Sequence, residues 1–296
     1  MKEINTKIVF VSDYFVEDMK GGAEMSNKVL IDASPFDIIK MQSFDVNPHT
    51  ITQFKDCFWI ITNFTKISYY HLPCIIENLR YALIEYDFKY CTYRSPARHK
   101  FLEGAPCDCE KKFGQTIIPL FLNAKRRFWM SQKQHMVYRD RFAEMHDTTN
   151  DRILSSIFSE QTLDKIEAMA QQKVPKNNEW IITGSTSWVK GAENAEAYCK
   201  EHGLTYKTIH GISYDQMLRI LAESEGLVYL PAGEDTCPRL VIEAQLLNCK
   251  LRLNNYVQHK DEGWFNASHD RVISYLRTRS WFFWHEIKHV LEEIYA

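Results

Sequence analysis

The chain has 296 residues, 45% hydrophobic and 25% charged, which suits one large globular domain or two of ordinary size. No apolar run approaches the roughly 18–20 residues of a membrane span. The start, Met1-Lys2-Glu3-Ile4-Asn5-Thr6, carries no signal-peptide pattern, so a cytoplasmic location is expected.

Lys7-Ile8-Val9-Phe10-Val11-Ser12 is a short, branched apolar run that predicts a buried first strand. A loop with Gly21-Gly22 follows, then a helix over 23–31 with Met25, Val29 and Leu30 at helical spacing. Strands are predicted over 36–41, 58–62 and 88–93, and a helix over 74–85. Residues 127–131 predict a further strand, and 132–142 a helix capped by Ser131. Residues 150–175 are polar and partly helical, and the domain boundary is expected there. The pattern then starts again: strand 179–184, helix 192–202, strand 206–209, a helix capped by Ser213 running to 223, strand 226–230, helix 240–248 and strand 250–253. Helices over 270–277 and 282–294 close the chain. Strands alternating with helices imply an α/β fold with parallel sheets covered on both faces, and two starts imply two Rossmann-like domains facing a central cleft. The expected division is 1–155, 156–265, and closing helices 266–296 that pack back toward the first domain.

Eight cysteines are scattered along the chain, with Cys57, Cys74, Cys91 and Cys199 in apolar contexts. In a reducing compartment they read as core residues, not a disulfide framework. Cys107-Asp108-Cys109 offers two thiolates without a second pair, so no metal site is expected. The net charge is −2, yet residues 89–141 hold 12 Lys/Arg against 4 Asp/Glu, a local +8. Such asymmetry fits an anionic partner, and equally a set of solvated helix faces.

In open parallel sheets ligands bind beyond the carboxyl ends of the strands. After the first strand comes Lys20-Gly21-Gly22-Ala23-Glu24, where bare backbone and a helix N-terminus fit a phosphate or a sugar, or form a plain tight turn. After residue 183 comes Gly184-Ser185-Thr186-Ser187-Trp188-Val189-Lys190-Gly191, small hydroxyl residues with one lysine suited to a diphosphate. After residue 230 comes Pro231-Ala232-Gly233-Glu234-Asp235-Thr236-Cys237-Pro238-Arg239, and Glu243 then stands inside an apolar helix turn. A carboxylate there can accept both ribose hydroxyls if it faces the cleft, or lie on a polar stripe if it does not.

Asp235 and Glu243, with seven residues between them after a Pro-containing strand end and with Ala244 following, resemble the carboxylate pair of family 4 of the GT-B glycosyltransferases. The segment from Trp188 to Gly191, the Gly21-Gly22-Ala23-Glu24 loop and the strand ending at Ser131 fit the same layout in the same order. The resemblance spans nearly the whole chain. It implies a GT-B fold whose first domain docks the acceptor and whose second binds a nucleotide-diphosphate sugar, a UDP-sugar first among them. It implies catalytic roles for Lys190 at the diphosphate and for Asp235, with Glu234 beside it, at the donor sugar. Glu243 would hold the ribose, backbone N–H groups at Thr236 and Cys237 the donor, and Gly21 and Gly22 would face it from the opposite domain. Gly184, Ser185 and Ser187 join the donor-binding set. Retention of configuration without metal or other cofactor is expected. The chain departs from the family where Asp235 replaces the usual Glu, where Ser185 to Ser187 stand in place of an Arg, and where Arg94-Ser95-Pro96 replaces a histidine; Arg239 is the candidate substitute for that Arg. Asn248-Cys249 also stands where a glycine is usual.

The basic segment, with Arg94, Arg98, Lys100, Lys111, Lys112, Lys125, Arg126 and Arg127, points to an anionic acceptor: a glycan or lipid at a membrane face, or a hydroxylated base of DNA reached by extrusion. Two alternatives stand beside this reading. One is a non-catalytic GT-B-like binder of nucleotide or sugar. The other is a zinc peptidase, because His285-Glu286-Ile287-Lys288-His289 matches His-Glu-x-x-His, with Glu292 and Glu293 as the only acids beyond it. The apolar residues around that motif read better as a closing helix on a core.

Overall fold

The computed structural model describes residues 6–295. The first half builds one parallel sheet from β1 (Ile8–Ser12), β2 (Ile38–Gln42), β3 (Phe58–Ile61), β4 (Arg80–Glu85), β5 (Arg126–Trp129) and β6 (Asp151–Ile153), in the order β2-β1-β3-β4-β5-β6. Its helices are α1 (Gly22–Asp32), α2 (Pro48–Gln53), α3 (Leu72–Asn78), α4 (Pro96–Glu103), α5 (Phe113–Asn123) and α6 (Gln132–Arg141). After α7 (Glu160–Gln171), a second parallel sheet forms from β7 (Trp180–Thr183), β8 (Tyr206–Ile209), β9 (Gly226–Tyr229) and β10 (Lys250–Leu253), in the order β10-β9-β7-β8. Helices α8 (Ala192–Glu201), α9 (Tyr214–Glu223) and α10 (Arg239–Leu246) connect them, and α11 (His269–Tyr295) ends the chain.

Both sheets are wound alike: the first strand of each lies between its second and third. That arrangement creates a switch point beside the first strand, where successive connections leave in opposite directions and open a crevice. The unbroken apolar run of β1 reflects burial on both faces. Ile8 and Phe10 enter one core cluster and Val9 and Val11 the other. The former cluster continues into the second half through Ile181, Leu227 and Val241, so the two sheets share a core.

The predicted helix over 74–85 and strand over 88–93 are corrected. The helix stops at Asn78, and β4 begins two residues later. Phe88 and Tyr90 are buried but not in a strand. They pack with Tyr138 and Phe142 beyond the end of β4, Phe88 stacked on Tyr138 at 6.0 Å. Aromatic content there reports burial, and burial needs no ladder. Within this turn Lys89 donates to Glu85 at 3.0 Å, both side chains 1% exposed, and burial raises the Glu85 carboxyl above the ordinary range against the pull of Lys89. Strand β6 lies in the polar stretch expected to separate the domains, three residues too short and polar to show a period.

The two closing helices are a single one of 27 residues. Nothing between 277 and 282 breaks it, since no Gly or Pro intervenes, Arg279 is a good helix former and Thr278 and Ser280 are only mediocre ones. Its buried stripe, Val272, Leu276, Phe283, Ile287 and Val290, follows helical spacing. The helix straps both halves. Arg277 pairs with Asp164 and Glu167 of α7, while Trp284 donates to Leu30 O at 2.9 Å and Phe283 meets Phe128 at 4.6 Å.

This geometry contradicts the zinc-peptidase alternative. Glu286 accepts from Arg152 at 2.7 Å and pairs with Arg126 at 3.2 Å, while His285 stacks on Trp281 and His289 pairs with Glu293, so neither imidazole joins a metal-binding group among the described residues. Replacing Glu286 by Ala is expected to lower unfolding free energy by about 2–4 kcal/mol, because Arg126 is left buried without a counterion. Replacing the exposed His289 by Ala should change it by less than about 0.5 kcal/mol, read in both cases by urea denaturation.

Candidate functional site

The loops after β1, β7 and β9 converge at the carboxyl edges of the two sheets. The loop after β9 is the centre. Ala232 N–H donates to Val189 O at 3.0 Å, tying it to the loop after β7. Asp235 N–H donates to Tyr256 O at 2.9 Å, and Gln258 N–H donates to Asp235 O at 3.0 Å.

Lys190 and Asp235, apart by 45 residues in sequence, meet at 2.7 Å. The Tyr229 hydroxyl, from the end of β9, also donates to the same carboxylate oxygen, and the Lys190 ammonium stands 5.9 Å from that ring's centre. Lys190 keeps 38% of its side-chain surface exposed against 11% for Asp235. The acid is therefore the enclosed partner of the pair and the lysine the one open to solvent. Behind them His259 is fully buried against Trp264 and Phe265, and burial holds it down to about 3, so it is neutral.

Glu243 lies on α10 and is 2% exposed. Tyr214 donates to it at 2.7 Å, and Arg239 Nε lies 3.8 Å away. Burial raises its carboxyl above the ordinary range, against the pull of Arg239. Glu243 is thus inside the α9–α10 seam, not on an exposed polar stripe. Arg239 donates to Ile157 O and lies over the Phe158 ring at 3.9 Å. It is pinned, and its stem lies 3.6 Å from where a methyl on Gly22 would sit. The glycine pair of the first half thus abuts the start of α10 of the second.

Other residues have different surroundings from those expected. Glu234 turns away from Asp235: it accepts from Ser95 Oγ at 2.6 Å and from Ala97 N–H at 3.2 Å, at the N-terminus of α4 in the other half. Thr236 donates across to Tyr86 O at 2.7 Å, and Cys237 O accepts from Ser156 at 2.6 Å. Gly184 is walled in by Thr208 and His210, with no room for a Cβ. Ser185 and Ser187 hydrogen-bond within their own turn, Ser187 N–H to Ser185 Oγ at 3.2 Å. At Gly21 the space above the backbone is filled by the Glu24 carboxylate, which is 4% exposed and raised by burial. The anion position at the start of α1 is therefore taken by the chain's own acid.

Six of the twelve Lys/Arg in the basic segment pair with acids, four of those six acids coming from outside it. Lys89 pairs with Glu85, Arg94 with Asp87, Arg126 with Glu286, Arg127 with Asp151, and Arg141 with Glu110. Lys112 pairs with Asp108. Arg98 and Lys100 remain exposed on α4, next to Phe101, 66% exposed, and Leu102. Cys107 and Cys109 do gain a second pair, from Cys91 and His99. Sequence reasoning missed this grouping, and missed Tyr214, Tyr229 and Glu24. Ser95-Pro96, a cap followed by proline at the first helical position, was the signal for α4.

No family model and no curated protein matches the sequence. Solved structures do. Anabaena Alr3699/HepE in complex with UDP and glucose aligns at a TM-score of 0.54 and 10% identity, covering 97% of this chain and 100% of that one. The same protein with UDP-glucose gives the same values, and with UDP a TM-score of 0.52 at 10% identity and the same coverage. The fold is GT-B. Among the described residues no helix is long and apolar enough to cross a membrane.

In this GT-B chain the turn before α8 depends on Gly191, whose φ is +62° and where a methyl group would overlap Leu230 O. Gly203 has φ +61° with open space around it. Gly203→Ala is expected to cost about 1 kcal/mol, the backbone penalty alone. Gly191→Ala should cost more than about 3 kcal/mol, because the loops carrying Lys190 and Asp235 must separate. Parallel chemical denaturation of the two variants measures the difference.

Proposed function

We propose that this protein is a glycosyltransferase that moves a sugar, a hexose in the first instance, from a UDP-sugar to an acceptor hydroxyl. The observation that carries the reading is the Lys190–Asp235 pair at the carboxyl edge of the second sheet, with Glu243 buried behind it and the Gly21-Gly22 turn opposite. Lys190 would leave Asp235 for the donor's diphosphate as the bond between the anomeric carbon and the phosphate oxygen breaks, stabilising the charge on the departing UDP. The N-terminus of α10 adds positive potential on the same side. Asp235 stays held by Tyr229 and its own backbone and accepts from the donor sugar. Glu243, with Tyr214, would receive the ribose hydroxyls after a shift of the α9–α10 seam. The acceptor oxygen takes the anomeric carbon on the face the diphosphate leaves and passes its proton to the departing phosphate oxygen, so configuration is retained, with Lys190 and the helix end in the place of a metal at this step.

The acceptor would enter from the first half, along the rim formed by α4. Arg98 and Lys100 beside Phe101 and Leu102 favour an anionic molecule with some apolar surface, a lipid-linked glycan at a membrane face before DNA. The pinned Arg239 and the paired Lys190 are also compatible with a non-catalytic binder of the same ligands, and turnover separates the two.

Without added metal, UDP or a UDP-sugar is expected to raise the Tm of the wild type and to leave that of Lys190→Ala nearly unchanged. The same variant should lose about 10²–10³ in kcat/KM for sugar transfer or donor hydrolysis. Absence of any shift with UDP, GDP, ADP, CMP and their sugars would sink the proposal. A shift without transfer or hydrolysis would leave only the binder.

A further inference from the structure

The cluster in the first half has no part in the chemistry above. Cys91, His99, Cys107 and Cys109 are all buried, and one ligand atom of each lies within 4.8 Å of all the others. Cys91 Sγ and Cys107 Sγ are 3.6 Å apart, and Cys109 Sγ and His99 Nδ1 are 3.4 Å apart. A bonded disulfide requires about 2.05 Å. With metal–sulfur bonds of about 2.3 Å and metal–nitrogen bonds of about 2.0–2.1 Å, the edges of a tetrahedron come to about 3.75 Å between sulfurs and 3.55 Å between sulfur and nitrogen. The two observed distances lie within about 0.2 Å of those edges.

The geometry points to a structural zinc site with Cys91, His99, Cys107 and Cys109 as its four ligands. Three thiolates and one imidazole in a tetrahedron select zinc over the oxygen-seeking cations, and four protein ligands leave no open position for a substrate. Three thiolates on a divalent ion leave one negative charge. Arg141, itself paired with Glu110, donates to Cys107 O at 3.1 Å beside the site, and Tyr93 covers His99 edge-on at 5.5 Å.

The site has a mechanical reason to exist. Residues 91–109 contain little regular structure besides α4, a helix of 8 residues, too short to stand alone. Yet α4 meets the second half. Ser95 and Ala97 hold Glu234, Gly233 is packed against Ser95 and Trp188, and Phe101 meets Trp188 at 5.1 Å. His99 lies on α4, and the Cys91 thiol lies 3.5 Å from Ser95 O, so a metal here would lock the helix that clamps the loop carrying Asp235. This inference does not depend on what the cleft transfers.

The full chain, purified under reducing conditions without chelator, is expected to hold about one equivalent of zinc by elemental analysis, and cobalt in its place should give the visible absorption of tetrahedral thiolate coordination. Cys109→Ser should reduce the zinc content at least tenfold, while Cys74→Ser keeps it. Stripping the wild type with a thiol reagent and chelator should lower its Tm and raise amide exchange in both 91–109 and 232–237. Less than about 0.1 equivalent in the wild type that excess zinc fails to restore, or a Cys91–Cys107 disulfide found by mass spectrometry in protein taken from cells, overturns the assignment.

Discussion

The structure turns on one segment, the loop between β9 and α10, which is bound from both sides at once. From its own half it is held by Val189, Asn254 and Tyr256, with Asn254 donating to Pro231 O at 2.8 Å. From the other half it is held through Glu234, Thr236 and, at the junction, Cys237. The residues that would touch a donor therefore also join the domains. Neutral hydrogen bonds of this kind are worth about 1 kcal/mol each and those to a carboxylate about 1.5–3 kcal/mol, so opening the loop fully toward the first half costs about 5–8 kcal/mol. That is more than the roughly 3–4 kcal/mol a ligand at a hundred to a thousand times its Kd contributes, so donor binding can release only part of these contacts. Asp235, held by its own half, need not move when the others let go.

The charge distribution shows why a local count misleads. The excess of basic residues between 89 and 141 is met by Glu85 and Asp87 upstream, Asp151 from β6 and Glu286 from α11. Asp151 and Glu286 lie too far along the chain from Arg127 and Arg126 for a window count to pair them, because the sheet and the C-terminal strap bring them in, while Glu85 and Asp87 fall just before the counted window. What remains for an outside anion includes exposed Lys111, Lys125 and Lys133 as well as Arg98 and Lys100 on α4, where charge sits beside exposed Phe101 and Leu102.

The same distinction governs what could be read from the sequence. Strands buried on both faces, such as Ile8–Ser12 and Trp180–Thr183, announce themselves as branched apolar runs, and the double start of the pattern shows the two sheets. The three loops at the carboxyl edges were legible because topology alone puts ligands there. Residues 80–93 were misread because a strand with Arg and Glu at its ends looked less like one than the aromatic turn after it. Side-chain partnerships made by the fold were out of reach. Tyr214 with Glu243, Glu24 folded over Gly21, and Cys91 and His99 beside Cys107 and Cys109 all require the backbone path first.

The places where this chain differs from the pattern it resembles become coherent once the neighbours of Asp235 are known. An aspartate is one methylene shorter than the glutamate usual in that pattern, so its carboxylate stays closer to the strand end. There Tyr229, from that same strand, donates to it, and Lys190 reaches over the ring to complete the pair. The missing arginine would have stood among Ser185 to Ser187, a turn that closes on itself. Its charge is not replaced there. Arg239 supplies a cation one turn of α10 from Glu243, but with Ile157 and Phe158 holding it, it can only act from a fixed position. The solvent-facing cation, Lys190, and the enclosed cation, Arg239, thus approach the cleft from different loops. A diphosphate lying between the glycine turn at Gly22 and the tip of Lys190 would meet both, and Glu24 at the start of α1 keeps it from sliding further into the first half.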